Sequence, residues 1–342
     1  MRVNGLFQNE GELSDVRVTL GITTYEASDY VERCIKSIAD QQNFPLEEME
    51  VLIVDDGSSD DTVEKARKAI QELGLNGRVL EQQNTGSPST GRNRILDSAN
   101  GEFLFYIDVD DYLGEHAISS MVELADVDKA DVVLGKFKGI NRGVPRVLFR
   151  KTLSRTDIES SPLVDSLNVL KMFRTEYARG LGYRFNPTIS MAEDHPFALS
   201  AYTQTDRVAI QSDVDCYYWV RHLSEKSKAQ HLTGHILPVD KFYRYFDETF
   251  EMLNRLDPAS TPLLETARGK YWHRLLYLDI PNEFRRARTP DDFHYSLLVA
   301  SKKAEKYSAA KYTEYYSYGT RAMLRALELK DDVMAKNLAK IL

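Results

Sequence analysis

The chain has only two cysteines in 342 residues, Cys34 and Cys216, and both stand among apolar residues. Two cysteines exclude a disulfide framework, and their apolar surroundings predict buried, reduced thiols, as in a cytoplasmic protein. An excess of positive charge is also missing, because the net charge is −8. A broad basic surface for nucleic acid is therefore not expected.

Long apolar runs are missing as well. No run approaches the roughly 20 apolar residues that a membrane-spanning helix needs. Residues 1–14 read as a polar leader without the apolar core of a signal peptide. These absences predict a cytoplasmic protein without a transmembrane segment, and they leave open peripheral binding at the inner membrane face.

Short apolar runs alternate with amphipathic segments in the first half of the chain. Strands are predicted at 16–22, 51–54, 78–80, 102–107 and 131–134, with helices between them. Continuous apolar strands separated by helices are typical of a mostly parallel, Rossmann-like sheet that is covered on both faces. After about residue 235 the pattern becomes helical and aromatic. The sequence thus predicts an α/β domain over residues 1–235 and a helical domain over residues 236–342.

The most informative segment is an apolar run, residues 103–107, that leads into Asp108, Asp110 and Asp111. Side chains two apart on a strand point to the same side, and clustered carboxylates repel each other unless a cation lies between them. Hard divalent cations take oxygen ligands and share them with substrate phosphates. The segment predicts a Mn²⁺ or Mg²⁺ site that holds a phosphate ligand. The alternative is that Asp110 or Asp111 caps the next helix.

Polar residues also follow the first two predicted strands. Thr23 and Tyr25 follow the first, and Asp55 and Asp56 follow the second. Ligands of parallel sheets bind beyond the carboxyl ends of the strands, so these residues are expected near the acidic segment. A carboxylate at this point can accept the imide N–H of a uracil ring. Asp-Gly-Ser is also a common turn sequence, so one of the two aspartates could form the turn while the other binds the ring.

Two later segments carry candidates with open alternatives. Asn84 lies in a loop before a predicted helix, and Arg92 lies one turn into that helix. Arg92 could reach a nucleotide or a carboxylate at the strand ends, or it could be a solvated surface arginine. Asp194, in Glu193-Asp194-His195, could cap a helix or act as a general base toward an attacking hydroxyl. His195 is the alternative base, or a solvent-exposed neighbour.

Two further signals are weaker. His222 follows an apolar strand-like run and could complete a metal site with nitrogen, or be structural. A run of basic residues between 136 and 151 could face an anionic polymer, or be a solvated charged loop.

In combination, these motifs resemble the family-2 glycosyltransferases with the GT-A fold. The matching segments, in the family's order and spacing, are 16–25, 51–58, 84–93, 105–111 and 192–194. Segments 131–136, 144–145 and 166–173 resemble one subgroup more closely. That subgroup is the poly(ribitol phosphate) N-acetylglucosaminyltransferases, which glycosylate wall teichoic acid in Gram-positive bacteria. The C-terminal region resembles the subgroup more loosely.

The resemblance implies a role for each matching position. It implies a UDP-sugar pocket lined by Thr23, Tyr25, Asp56, Asn84, Arg92, Asp108 and Asp110. Asp56 would bind uracil, Asp110 would be the direct ligand of Mn²⁺ or Mg²⁺, and Asp194 would be the catalytic base. His222 would be a late contact to the metal or the diphosphate, although the segment around it matches poorly. The family usually has proline where this chain has Thr23.

The resemblance also implies an activity: an inverting, metal-dependent transfer of a sugar, GlcNAc in the subgroup, from a UDP-sugar. The acceptor would be a hydroxyl of a teichoic-acid-like polyol-phosphate polymer, an anionic glycopolymer. In the subgroup the C-terminal helices form a trimer, which implies a homotrimer. Two alternatives stay open: a transferase for capsular or lipid-linked sugars, and a catalytically silent protein that binds a nucleotide sugar.

Overall fold

A computed structural model describes residues 16–222 and 237–342. The predicted leader at residues 1–14 and the predicted domain boundary near residue 235 lie outside these ranges. Among the helices within them, none combines the length and the apolar character needed to cross a membrane.

A nine-stranded sheet organises residues 16–222. Its strands are β1 (Val18–Thr24), β2 (Met49–Asp55), β3 (Gly77–Glu81), β4 (Phe103–Asp108), β5 (Tyr112–Leu113), β6 (Val132–Ile140), β7 (Leu153–Thr156), β8 (Met172–Arg174) and β9 (Val208–Val220). Their order across the sheet is β3-β2-β1-β4-β8-β6-β9-β5, and β7 pairs with β9. The strands β3, β2, β1 and β4 run parallel, whereas β8 is antiparallel to β4 and to β6.

Helices cover the sheet as the alternation of the sequence predicts. They are α1 (Val31–Ala39), α2 (Thr62–Glu72), α3 (Pro88–Ser98), α4 (Ala117–Asp128), α5 (Thr175–Gly180) and α6 (His195–Thr203). All seven residues of β2 are buried, which explains its continuous apolar run. In α1, Val31, Cys34, Ile35 and Ile38 are buried at helical spacing. The predicted mostly parallel α/β fold is confirmed, and both cysteines are free and buried.

The register of the parallel strands brings their carboxyl ends to one edge. Thr23 in β1 lies beside Val54 in β2 and beside Asp108 in β4. The polar residues that follow these three strands therefore start from the same level of the sheet.

Residues 239–341 are largely helical, as predicted. The helices are α7 (Val239–Phe242), α8 (Arg244–Arg255), α9 (Leu264–Arg274), α10 (Ile280–Arg286), α11 (Pro290–Lys306), α12 (Tyr318–Leu329) and α13 (Asp332–Ile341). A π-helical segment, Leu275–Asp279, joins α9 to α10. The aromatic residues that mark this region in the sequence, among them Tyr245, Phe246 and Trp272, are buried in its core.

The helical region packs directly on the sheet region. The imidazole of His195 in α6 meets the rings of Tyr245 and Tyr271 edge-on, with centroids 5.3 and 6.2 Å away. Arg274, at the end of α9, donates a hydrogen bond to the carbonyl of Val164 at 3.0 Å. Residues of the helical region thus reach the loops beside the carboxyl edge of the sheet.

Candidate active site

A cavity of about 890 Å³ opens at the carboxyl edge of the sheet. This volume is within the usual range for a site that encloses a small molecule. All but one of the predicted site residues line it: Thr23, Tyr25, Asp56, Asn84, Arg92, Asp108, Asp110 and Asp194. The exception is His222.

Asp55 builds the turn after β2. One of its carboxylate oxygens accepts hydrogen bonds from the hydroxyls of Thr24 and Ser58, at 2.8 and 2.6 Å. The other accepts from the backbone N–H groups of Gly57 and Ser58. Gly57 has a φ of +81°, which favours glycine at this position of the turn. Turn chemistry therefore accounts for Asp55.

Asp56 faces the cavity. Its Oδ1 accepts hydrogen bonds from the side chains of Gln82 and Thr85, at 2.8 and 2.9 Å, and its Oδ2 accepts one from the Thr85 N–H at 3.0 Å. Nearby, Asn84 accepts a hydrogen bond from the N–H of Gly86. The loop after β3 thus fixes Asp56 in one orientation, as the recognition of a ligand requires. Its pairing with uracil stays a prediction.

Asp108, Asp110 and Asp111 form an acidic cluster. Each offers a carboxylate oxygen, and the three oxygens lie within 4.8 Å of one another. Helix α4 begins at Ala117 with His116 as its N-cap. The alternative that Asp110 or Asp111 caps this helix is therefore wrong. Three converging carboxylates match the oxygen donors that Mn²⁺ and Mg²⁺ prefer, so the residues present fit the predicted metal.

Asp111 also holds the cluster in place. Its carboxylate accepts hydrogen bonds from the Tyr217 hydroxyl at 2.9 Å and from the Val220 N–H at 2.7 Å, both in β9. Its burial, together with the charges of Asp110 and Asp108, raises the pKa of Asp111. The sequence showed Asp111 in the motif, but it did not show that β9 ties it down.

Arg92 is buried at the base of the cavity rather than solvated on the surface. Its Nη1 lies 2.6 Å from an oxygen of Glu193, and its Nη2 lies 3.5 Å from an oxygen of Asp108. The guanidinium therefore joins helix α3 to the acidic cluster and to the segment before α6.

Replacing Arg92 with methionine should lower the free energy of unfolding by about 3–5 kcal/mol, because two carboxylates lose their shared partner inside the cavity. Denaturant unfolding measures this loss. Arg67→Ala is the matched control, because it breaks the exposed pair with Glu81 and should cost under about 1 kcal/mol. Equal losses in the two variants would show that Arg92 has no structural role of this kind.

Asp194 is the residue before α6, and its side chain does not cap that helix. The preceding Ala192 has a φ of +51°, a conformation that alanine disfavours by about 1 kcal/mol or more. Desolvation and the charge of Glu193 raise the pKa of Asp194 to about 7, against the opposing charges of Arg92 and Lys171. The capping alternative is therefore wrong, and a carboxylate suited to proton transfer near neutral pH faces the cavity.

His195 is buried rather than solvent-exposed. Burial, with the positive charges of Arg274 and Lys171, holds the pKa of His195 well below its usual value. Its Nδ1 has no hydrogen-bond partner among the described residues. The imidazole is therefore neutral at pH 7.

His222 lies next to the acidic cluster but outside the cavity lining. Its Nε2 is 3.0 Å from the backbone carbonyl oxygen of Asp110, and its ring packs 4.4 Å from the ring of Tyr30. The three-carboxylate cluster does not include it. Metal ligation by His222 stays a prediction.

Several cavity residues were missed because they come from distant parts of the chain. Arg142 follows β6, Asn168 precedes β8, Trp219 lies in β9 and Arg274 ends α9. The fully buried Lys171 donates a hydrogen bond to the Asn168 side chain, and burial lowers the pKa of Lys171 to about 7. The basic run over residues 136–151, which includes Arg142, and the resemblance of segment 166–173 were the only sequence signals toward this part of the cavity.

The sequence of this chain is similar to the sequences of several known proteins. A poly(ribitol-phosphate) β-glucosyltransferase of Bacillus spizizenii is 28% identical over 246 residues, which cover 71% of this chain and 37% of that protein. The poly(ribitol-phosphate) β-N-acetylglucosaminyltransferase TarS of Staphylococcus aureus is 32% identical over 223 residues, 65% of this chain and 38% of TarS. The matches thus span less than two fifths of the length of these relatives.

The fold has a counterpart among solved structures. The crystal structure of S. aureus TarS 1-349 in complex with UDP-GlcNAc superposes with a TM-score of 0.84 at 24% identity, covering 95% of this chain and 91% of that one. The likeness confirms the predicted GT-A fold with a helical C-terminal region. The model of the family described as "Glycosyl transferase family 2" matches residues 19–185. Residues 19–185 of this chain therefore form a glycosyl transferase family 2 domain.

Proposed function

We propose that this chain transfers N-acetylglucosamine from UDP-GlcNAc to a hydroxyl of an anionic polyol-phosphate polymer, with inversion at C1. The observation that carries the proposal is a single cavity lined by Asp194 and by the acidic cluster. Two relatives named as poly(ribitol-phosphate) glycosyltransferases support the acceptor class. The TarS complex with UDP-GlcNAc supports the donor.

The acidic cluster and its neighbours would bind the donor. Asp110, with Asp108, would hold Mn²⁺ or Mg²⁺, which supplies Lewis-acid stabilisation of the departing diphosphate when bound. Arg92 keeps Asp108 oriented through their ion pair. Asp56 would accept the imide N–H of uracil, with Thr23 alongside at the end of β1. These groups are oriented before the reaction, as electrostatic stabilisation requires.

Asp194 would act as the general base. Its carboxylate takes the proton of the acceptor hydroxyl while that oxygen forms a bond to C1 and the bond from C1 to UDP breaks. A single displacement of this kind inverts C1, through a transition state with oxocarbenium character. A pKa near 7 suits the task, because a base is most efficient when its pKa lies near the working pH.

The helical region, residues 236–342, is proposed to bind the acceptor or to join copies of the chain. Its cavity residue Arg274 supports the first role, and the exposed apolar side chains of Leu329, Val333 and Ile341 support the second. The homotrimer implied by the resemblance stays a prediction, which the molar mass in solution tests.

Thermal unfolding in the presence of UDP-sugars tests the donor. UDP-GlcNAc with Mn²⁺ should raise the melting temperature, because a ligand at 100 times its Kd adds about 2.7 kcal/mol to the stability of the folded state. UDP-glucose and GDP-mannose are the comparison donors, and each is repeated with a chelator in place of Mn²⁺. Stabilisation by none of the UDP-sugars would contradict the proposal, and a larger shift with UDP-glucose would reassign the sugar.

Release of UDP separates the remaining alternatives. Release that depends on poly(ribitol phosphate) supports the proposed acceptor, whereas release with lipid-linked saccharides alone would favour the capsular alternative. Stabilisation by UDP-GlcNAc without release of UDP, with or without an acceptor, would identify a non-catalytic binding protein.

A further inference from the structure

Arg142 differs from the other arginines that line the cavity. Arg92 pairs with Glu193 and Asp108, and Arg274 pairs with Asp279 at 3.3 Å. Within residues 16–222 and 237–342, the guanidinium of Arg142 has neither a hydrogen-bond acceptor nor a carboxylate within ion-pair distance, and its Nε is buried without a partner. The cavity thus contains a guanidinium that no acceptor among the described residues engages, and its buried Nε–H is unpaired.

A tryptophan holds this guanidinium in place. The Cζ of Arg142 lies 3.2 Å from the centre of the Trp219 ring, so that the planar group stacks on the indole. Trp219 is itself packed against Phe137, with ring centroids 5.6 Å apart. Stacking engages the face of the guanidinium and leaves its edge, which carries the five N–H donors, for another group.

Two lysines of this part of the chain share one carboxylate partner. Lys136 and Lys138, in β6, both pair with Asp215, at 2.9 and 3.0 Å. The predicted basic run over residues 136–151 is therefore not one continuous positive surface. Arg142, in the loop after β6, turns its charge to the cavity that Asp108 and Asp110 also line.

Unused donors on a half-buried guanidinium point to an anionic ligand. Leaving the buried Nε–H unpaired is costly, and a phosphate oxyanion matches the planar fork with two parallel hydrogen bonds. We propose that Arg142, stacked on Trp219, binds a phosphate group of a substrate in this cavity. The proposal rests on the proposed function. Two substrates could supply the phosphate: the diphosphate of the donor and a phosphodiester of the acceptor polymer.

The test compares Arg142→Ala, Arg142→Lys and Trp219→Leu with the wild type. Arg142→Lys keeps the charge but loses the planar fork, and Trp219→Leu keeps the fork but loses the stack. Arg67→Ala is the charge-matched control, because its exposed side chain pairs with Glu81 outside the cavity. Melting temperatures confirm that each variant is folded. The readouts are the Kd of UDP with Mn²⁺ by calorimetry and the KM of the polymer at saturating UDP-GlcNAc.

Each source of the phosphate gives its own result. If the phosphate is the donor diphosphate, Arg142→Ala should raise the Kd of UDP about 10- to 100-fold, and Arg142→Lys should raise it nearly as much. For the acceptor, the KM of the polymer should rise by a similar factor with the Kd of UDP unchanged. Trp219→Leu should follow the same pattern to a smaller extent. Wild-type values of both quantities in Arg142→Ala would overturn the inference.

Inorganic pyrophosphate with Mn²⁺ provides a readout that needs no turnover. Binding that is weakened in Arg142→Ala but not in Arg67→Ala supports the phosphate site even if the proposed transfer reaction fails. If wild-type protein binds UDP and releases it with the polymer, while Arg142→Ala matches it in every measurement, the proposed function stands and this inference alone falls.

Discussion

Replacing Asp194 with asparagine should lower kcat by about two to four decades, the range that a general base contributes. Asparagine has nearly the same shape as aspartate but cannot accept the proton of the acceptor hydroxyl. No hydrogen bond of the Asp194 side chain caps α6, so the change should leave the helix intact. The Kd of UDP should stay within about threefold of the wild-type value, because an interaction made only in the transition state is removed.

The dependence of kcat on pH is a second test of Asp194 as the general base. The raised pKa of Asp194 means that its carboxyl is protonated, and inactive as a base, below about pH 7. The kcat of the wild type should therefore rise with pH through about 7 and level off above it. The residual activity of Asp194→Asn should lack this rise.

A surface substitution controls for the change of charge. Asp97→Asn removes one negative charge from an exposed pair with Arg184 and should leave kcat and the pH profile unchanged. Wild-type kcat in Asp194→Asn, with the pH profile retained, would assign the base to another residue.

Apart from the two-residue strand β5, the strands of the first 134 residues could be predicted because the signal there is local. The strand β2 is buried on both faces, so its apolar run is visible without any knowledge of its neighbours. The short strand β8 was not predicted, because its three residues carry no periodicity of their own. They become a strand by filling the gap between β4 and β6, which is a property of the sheet.

The candidate site, like the fold, contains residues that could be predicted from the sequence and residues that could not. Asp108 and Asp110 could be predicted because they follow a strand directly, and the ends of parallel strands meet at one edge. The sequence offered a strand-end carboxylate as a partner of Arg92, and Asp108 is one, but its second partner Glu193 lies 101 positions away along the chain and could not be predicted. A surface arginine and a buried one look the same in a sequence, and only the tertiary pairing tells them apart.

Arg142 shows most clearly what a local sequence pattern does not reveal. In the sequence it was one of several basic residues in the run 136–151, and nothing distinguished it from Lys136 or Lys138. The structure separates them through Asp215, which pairs with both lysines, and through Trp219, which stacks on Arg142. Both partners lie more than 70 positions further along the chain, in β9, beyond the reach of any local pattern.

Replacing Asp110 with alanine should abolish the dependence of UDP binding on Mn²⁺. Asp110 is one of the three carboxylates whose oxygens lie within 4.8 Å of one another, and it is the one that the resemblance implies as the direct ligand. Loss of a residue that merely orients a metal ligand costs about 10- to 100-fold in metal affinity, so loss of a ligand should cost at least as much.

Calorimetry with and without a chelator separates this role from a structural one. In the wild type, the Kd of UDP should rise sharply when Mn²⁺ is removed, whereas in Asp110→Ala it should be equally weak in both conditions. The control Asp97→Ala removes an exposed carboxylate that pairs with Arg184 and should respond to Mn²⁺ as the wild type does. Because Asp111 holds the cluster through Tyr217 and Val220, truncation of Asp110 should leave the melting temperature within a few degrees of the wild-type value without ligand. A full response to Mn²⁺ in folded Asp110→Ala would remove Asp110 from the metal site and leave its cluster partners, Asp108 and Asp111, as the remaining carboxylate ligands.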